Sequence, residues 1–360
     1  MIRNGHVALI LFVSTLGAIG AMGLSAAAAV GPKTVGPRSI LNGSAEAAFL
    51  RKFEKAVPFK DAAVSLVAAL RYDAFGEGYQ GVVIGDDGWL FSTEEFEPSL
   101  ARREDYLRGS AEDALVAARD GLATDGITLV VAVIPSKARV YDDELAGNSI
   151  PAAIQNRYGN VLDMLKRLSI PAVDVAEAFQ SARRGRDTDG TELFLRTDSH
   201  WTPAGAATAA RAVADKIREL GVDLPESAIE SIDAQPTVRD GDLMSYMPRR
   251  GTTRRPLPPP EAIAGYETYS DSGTSLFDSQ EIPIALLGTS YSADPLWHFD
   301  GFLKRELRTD VLNLSESGKG PFRPMSDALT GGVLRTNGIR LVVWEIPERY
   351  VPTDEFERPR

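Results

Sequence analysis

Cysteine is absent from all 360 residues, which excludes disulfides, thiolate metal sites, iron–sulfur clusters and cysteine nucleophiles. Histidine is almost absent. Only His6, His200 and His298 occur, so any imidazole chemistry runs through very few positions, and zinc hydrolysis has few ligand sets to draw on. An excess of positive charge is also missing. The chain carries 39 Lys+Arg against 50 Asp+Glu, a formal net charge of −11. That is the wrong sign for a protein that neutralises phosphates, so nucleic acid is not an expected partner. No glycine-rich phosphate loop follows a strand-like run, which leaves nucleotide chemistry without a motif. What is present is ordinary: 44% hydrophobic and 25% charged residues exclude wholesale disorder. The length suits one large domain or two modest ones with a full core.

Arg3 precedes an uncharged apolar run from Val7 to about Leu24, followed by Ser25-Ala26-Ala27-Ala28-Ala29. A positive start, an apolar middle and a small-residue end make residues 1–30 a signal peptide or a retained N-terminal membrane anchor. The run exceeds the roughly 7–15 residues of a cleaved signal core and approaches the roughly 20 of a membrane span. Both readings export the remainder of the chain. His6 falls in this segment, which leaves His200 and His298. Residues 31–44 are punctuated by Gly, Pro and Ser and read as a linker. A single domain is expected over 45–360.

Within that domain, apolar spacing predicts helices over 45–73, 111–123, 151–168 and to about Ala182. Val82 to Phe91 reads as a hairpin around Asp87-Gly88. Ile127 to Ile134 is a continuous aliphatic run, suited to a strand buried on both faces of a parallel sheet. Ala172–Val175, Pro283–Leu287, Val311–Leu314 and Leu341–Ile346 are further strand candidates. Helices alternating with buried strands imply an α/β class with a largely parallel sheet. Residues 233–280 break the rhythm as a polar, irregular insertion. Its Arg249-Arg250 and Arg254-Arg255 pairs read as a solvated loop or as a basic rim for an acidic polymer.

Chemistry concentrates in two places. In Thr197-Asp198-Ser199-His200-Trp201-Thr202-Pro203, Thr202 is a good N-cap and Pro203 a good first helical residue. Asp198 and His200 therefore lie on the loop that feeds a helix. Two residues apart in an extended segment, their side chains share a side, so the carboxylate can orient the imidazole and stabilise its protonated form. Alone, such a pair is common on surfaces. The second place is Leu286-Leu287-Gly288-Thr289-Ser290-Tyr291-Ser292. Here a strand ends in a turn that exposes a serine at the sheet's C-terminal edge, where open α/β sheets bind ligands. Serine is a weak nucleophile without a base, which His200 can supply. Ser292 is the rival serine. His298 is the rival base, with Asp294 or Asp300 as its carboxylate, although its aromatic neighbours favour a packed role. Trp89, Trp201, Trp297 and Tyr291 are candidates for stacking on sugar rings or for the core.

Taken together, these segments resemble the SGNH-hydrolase-like alginate O-acetyltransferases of the AlgJ/AlgX type. The resemblance spans roughly 80–350. It rests on Asp87-Gly88-Trp89-Leu90-Phe91, Ile134-Pro135-Ser136-Lys137, Thr197 to Thr202, Gly241-Asp242-Leu243, Gly288 to Ser292, Asn313-Leu314-Ser315 with Gly318 and Gly320, and Trp344 to Tyr350. It implies a circularly permuted SGNH-like fold, because Asp and His precede Ser here. It further implies Ser290 as nucleophile, His200 as base and Asp198 as the orienting carboxylate, with an acetyl-serine intermediate and transfer to an exopolysaccharide hydroxyl. The same residues would serve a polysaccharide acetylesterase if water were the acceptor. A binding or assembly protein with a vestigial triad is a third reading.

No cofactor is expected. Backbone N–H groups near Ser290, with Tyr291 or Asn313 as side-chain candidates, are expected to stabilise the oxyanion. Lys137, Arg349 and the 249–255 arginines are candidates for holding uronate carboxylates. The resemblance implies a periplasmic location and three partners: the polysaccharide acceptor, a polytopic membrane acyltransferase that supplies acetyl groups, and other secretion proteins. Only about ten residues follow Tyr350, too few for the appended carbohydrate-binding domain of some members, so a single-domain architecture is expected.

Overall fold

The computed structural model describes residues 20–28, 60–97, 110–185, 192–271, 282–336 and 338–352, with isolated positions at 17 and 56. The expectations for residues 1–16, for the linker and for most of 45–59 lie outside these. Among the described residues, no helix is long and apolar enough to cross a membrane.

The chain divides into two compact units. The first holds helix α1 (Lys60–Phe75) and residues 248–255. There the Asp73 carboxylate accepts the backbone N–H groups of Arg254 and Arg255 at 2.9 and 3.0 Å. This leaves both arginines exposed, as a solvated loop would. The second unit carries the described residues from Gly76 to Met247 and from Pro256 onward.

It opens with the expected hairpin, β1 (Val82–Ile84) against β2 (Leu90–Ser92). Asp87 and Gly88 both take positive φ in the turn. Next come α2 (Ala111–Thr124), β3 (Thr128–Ile134), the short α3 (Lys137–Val140), α4 (Arg157–Arg167), β4 (Ala172–Asp174), α5 (Val175–Gly185) and α6 (Pro203–Glu219). Thr202 caps α6 by accepting from Gly205 N, with Pro203 in its first turn. After these follow β5 (Ala228–Arg239), β6 (Glu261–Asp271), β7 (Ile284–Leu287), α7 (Ser290–Ala293), α8 (Phe299–Leu307), β8 (Val311–Asn313), α9 (Phe322–Gly331) and β9 (Leu341–Pro347).

Five strands form one parallel sheet in the order β4-β3-β9-β7-β8. Alternate side chains divide the core in two. Val130, Ala132, Ile134, Leu286 and Val343 pack with Phe179 of α5, Val213 and Ile217 of α6, and Phe302 of α8. Val131, Val133, Leu287, Val342 and Trp344 pack with Leu115 of α2, Met164 of α4 and Met325 of α9. Both faces are covered, which is why these strands read as unbroken aliphatic runs. The turns after β3, β7, β8 and β9 all emerge at the same carboxyl edge.

Within 233–280, the described flanks up to Arg239 and from Glu261 to Asp271 are regular strand, where composition predicts an irregular insertion, and between them the regular structure is a short helical turn at Asp242–Tyr246. β5 and β6 pair antiparallel over most of their length as a two-stranded ribbon, with a bulge between Ala234 and Thr237 that accommodates Pro236. Most of β5 is exposed. A strand that buries neither face carries no hydrophobic alternation, so its sequence looks like loop.

Candidate active site

The first element is the 196–200 loop between Phe194 and α6. Its backbone carbonyls all have donors. Arg196 O accepts from Leu90 N at 2.8 Å and from Lys137 Nζ at 2.9 Å, and Thr197 O accepts from Leu243 N at 3.2 Å. Asp198 O accepts from Lys137 Nζ at 3.0 Å, Ser199 O from the Tyr291 hydroxyl at 2.6 Å, and His200 O from Leu195 N at 3.2 Å. From outside, Glu261 at the start of β6 accepts the N–H groups of Arg196 and Thr197, both at 2.8 Å. A loop so bonded holds its side chains in one geometry.

Asp198 and His200 do share a side. Asp198 Oδ1 accepts His200 N at 3.0 Å and lies 2.6 Å from His200 Nδ1. The other oxygen, Oδ2, accepts Asp242 N at 2.9 Å. Burial works to raise the Asp198 carboxyl, but the His200 hydrogen bond, the His200 charge and the N–H groups of Asp242 and His200 hold it below its ordinary value. Asp198 is thus kept as a carboxylate, the form that can stabilise an imidazolium.

Ser290 arrives from the other side of the chain. β7 runs to Leu287, and Gly288 turns the backbone directly over Glu345 of β9, where a Cβ would stand 2.4 Å from Glu345 Oε2. Only glycine fits this approach. Thr289 then caps the single turn α7, and Ser290 Oγ lies 2.7 Å from His200 Nε2. The imidazole edge carrying Nε2 thus meets the hydroxyl while Nδ1 meets the carboxylate. Ser290 is partly exposed, the His200 side chain retains 14% of its surface and Asp198 retains 1%. Substrate can therefore reach the serine and the imidazole but not the carboxylate. A base placed in this way can take the hydroxyl proton as oxygen attacks a carbonyl.

The rivals are spoken for. Ser292 is buried and donates to Glu345 Oε2 at 3.1 Å. His298 Nε2 sits 2.7 Å from Thr268 Oγ1 on the ribbon, and burial lowers its pKa. Of the oxyanion candidates, Asn313 Nδ2 donates to Ser292 O at 2.7 Å, and the Tyr291 hydroxyl is spent on Ser199 O. Both shape the turn. Of the uronate candidates, Lys137 and Arg349 are buried, while the arginines of 249–255 are exposed. Lys137 reaches Leu90 O at 2.5 Å in addition to the two loop carbonyls, and burial draws its pKa down to about 8. Arg349 lies behind Tyr291, 3.4 Å from its hydroxyl. Trp89, Trp201, Trp297 and Tyr291 are all core residues, each 1% exposed or less, so none offers a face to sugar from the surface.

Two residues of the site, Asp242 and Glu345, were not singled out as candidates by sequence, and a third, Trp297, was read there as core or as a sugar platform rather than as a neighbour of His200. Asp242 accepts Ser199 N at 2.8 Å and Ser199 Oγ at 2.6 Å while its own N–H supports Asp198. Glu345 accepts Thr289 N at 2.7 Å, and burial raises its pKa. Trp297 stacks on His200. The signal for Glu345 was a lone acid inside a buried apolar strand, and for Asp242 the Gly-Asp pair itself. Gly241 packs so closely on the loop that a Cβ would fall 2.1 Å from Thr197 O.

Asp198, His200 and Asp242 bring potential metal-ligating atoms within 4.8 Å of one another. Their carboxylate oxygens, however, already accept from His200, Ser199 and the Asp242 backbone. The donor set fits a hydrogen-bonded triad rather than a cation site.

The family model of an SGNH hydrolase-like domain, acetyltransferase AlgX, matches residues 82–348. Among its relatives, the probable alginate O-acetylase AlgJ of Azotobacter vinelandii is 37% identical over 351 residues, covering 95% of this chain and 87% of that protein. The probable alginate O-acetylase AlgJ of Pseudomonas aeruginosa is 37% identical over 349 residues, covering 93% and 86%. The solved O-acetyltransferase domain of Pseudomonas putida AlgJ superposes with a TM-score of 0.65 at 34% identity, covering 75% of this chain and 91% of that one.

Proposed function

The chain belongs to the SGNH hydrolase-like acetyltransferase family of the AlgX type, and we propose that it transfers acetyl groups to hydroxyls of alginate through an acetyl-Ser290 intermediate. The observation that carries this is the unbroken line from Asp198 through His200 to Ser290, with contacts of 2.6 and 2.7 Å. The acceptor follows from the relatives, which are named as alginate O-acetylases.

In the first half-reaction His200 Nε2 takes the Ser290 proton as Oγ bonds to the acetyl carbonyl carbon. The tetrahedral oxyanion is met by backbone N–H at the start of the Ser290 turn, the Tyr291 hydroxyl being given to Ser199 O and one of the two Asn313 Nδ2 hydrogens to Ser292 O. Losing one such donor typically raises a barrier by about 3–4 kcal/mol. The carbonyl re-forms, the donor's leaving oxygen takes the proton from His200, and acetyl-Ser290 remains. In the second half a sugar hydroxyl gives its proton to His200 and attacks the acetyl carbon. The collapse releases the sugar acetate and returns the proton to Ser290 Oγ. Export to the periplasm, a polytopic membrane acyltransferase as acetyl source, and further secretion proteins as partners belong to this proposal.

The test supplies an activated acetyl ester and unacetylated alginate oligosaccharide to the full chain, then weighs the sugar. Acetylated oligosaccharide that disappears with Ser290→Ala is the expected result. Release of free acetate with unmodified sugar would instead make the protein an esterase.

A further inference from the structure

His200 is held at its edges by the groups already described, with Asp198 and Ser290 on its two nitrogens, Asp242 Oδ2 at 3.8 Å and Ser199 Oγ at 3.4 Å from Nδ1. Hydrogen bonds at the edges leave the ring free to rock about the line joining them. Its faces are a separate matter. On one side the Tyr291 ring lies tilted, with centroids 4.9 Å apart. Burial raises the pKa of that phenol, so it brings no charge. The Trp297 indole stacks on the imidazole as well, 5.2 Å between centroids and only 19° from parallel.

Trp297 is delivered there by the chain that leaves the serine. After α7, Asp294 Oδ1 accepts Leu296 N at 3.0 Å and Asp294 O accepts Trp297 N at 3.2 Å. His298 then adopts a left-handed conformation at φ 57° and starts α8. The Thr268 contact of His298 pins the end of this turn to the ribbon. The same short segment therefore supplies both the nucleophile and the plate behind its base.

Trp297 is 1% exposed, and among the described residues its buried indole N–H has no hydrogen-bond partner. Tyr and Trp in cores usually find a partner for the polar tip, because leaving one unpaired is costly. A phenylalanine would fill apolar space without that cost. What tryptophan adds is its face, the most electron-rich of the aromatic side chains towards a cation.

We infer that Trp297 is a positioning residue for the reaction: its indole face holds the His200 imidazole square to Ser290 and stabilises the charge the ring gains on taking the serine proton. The proton moves from Ser290 Oγ to His200 Nε2 while Nδ1 keeps its own against Asp198, so the imidazolium forms directly over the indole. This rests on the reading of Ser290 as nucleophile and His200 as base.

The test follows acetylation of Ser290 by a small activated acetyl ester across pH, in the full chain, for wild type, Trp297→Phe and Trp297→Leu. With Trp297→Leu, the plateau rate is expected to fall about 10- to 100-fold. The acidic limb of the profile should move to lower pH by about half a unit to one unit, since the protonated ring loses its support. Trp297→Phe should keep most of the rate and shift the limb by less, in the same direction. If Trp297→Leu does not fold, the Phe variant decides, and an unshifted limb overturns the inference. A rate lowered equally at every pH would also overturn it, by reducing Trp297 to packing. So would a Phe variant as slow as the Leu one, because the indole N–H rather than the face would then matter. A wild type that takes up no acetyl would instead refute the serine mechanism beneath it.

Discussion

Glu345 accepts the backbone N–H of Thr289 at 2.7 Å, and this contact ties the residue before Ser290 to the central strand. The same carboxylate takes the Thr289 hydroxyl at 3.0 Å and the Ser292 hydroxyl at 3.1 Å. The three donors bracket Ser290 on both sides. The place of Ser290 is therefore defined by a buried acid.

Glu345→Gln and Glu345→Ala should separate shape from charge. Burial raises the Glu345 pKa, so the folded protein holds this proton more tightly than the unfolded chain. Its contribution to stability is then fully present below the ordinary carboxylate pKa and declines as pH rises through the raised value. Gln keeps an acceptor for Thr289 N, so acylation should stay within a few-fold of wild type and this pH dependence should vanish. Ala strands the Thr289 N–H and should cost about 1–3 kcal/mol, with a clear fall in Ser290 acylation. Denaturant titrations at pH 5 and 8, together with acylation rates, check both.

Lys137 makes the opposite prediction on the alkaline side. Its pKa is drawn down to about 8 by burial, opposed by the charges of Glu95, Glu261, Asp198 and Asp242. Between about 8 and 10.5 the unfolded chain binds more protons than the folded one, so this group makes stability rise with pH. The full excursion is worth roughly 3 kcal/mol. Lys137→Met removes that rise and takes the ammonium donor from the carbonyls of Leu90, Arg196 and Asp198, of which Arg196 O keeps its bond from Leu90 N. The difference in stability between wild type and variant, measured from pH 7 to 10, should widen with pH.

Gly241→Ala should be among the most damaging single changes. Its Cβ would meet backbone, at 2.1 Å from Thr197 O and 2.2 Å from Thr197 C, and backbone cannot swing aside. The displaced loop carries Asp198. We expect a loss of about 3 kcal/mol or more and acylation reduced at least 100-fold, read from thermal melts and single-turnover rates.

Asp198→Asn keeps the shape of the triad but permits the wrong imidazole tautomer. Such an exchange lowers turnover about 10⁴-fold in a triad. Asp242→Asn, whose carboxylate bonds Ser199 and stands 3.8 Å from His200 Nδ1 while its N–H supports Asp198, should cost far less, about 10-fold. Equal losses in the two variants would show that Asp242, not Asp198, is the carboxylate that matters.

Much of this site was legible in the sequence because its parts are local. The Asp198-x-His200 spacing, the Thr202-Pro203 helix start and the strand that ends at Gly288 are each decided within a few residues. The parallel sheet was legible because its strands are buried on both faces. What escaped depends on long-range register. Glu345 falls under Gly288 only because β9 lies beside β7, and Asp242 reaches Ser199 from 43 residues away. Trp297 read as core or sugar platform because nothing local says that its turn folds back over His200. Lys137 and Arg349 looked like ligands for a uronate because burial cannot be read from a charge. The ribbon read as loop for the complementary reason, having almost no buried face.

The most direct measurement is the intact mass of the full chain after incubation with a small activated acetyl ester, for wild type, Ser290→Ala and Ser292→Ala. A single acetyl should appear on wild type and on Ser292→Ala and be absent from Ser290→Ala. An acetyl that persists without Ser290, or that is lost only without Ser292, would contradict Ser290 as the nucleophile.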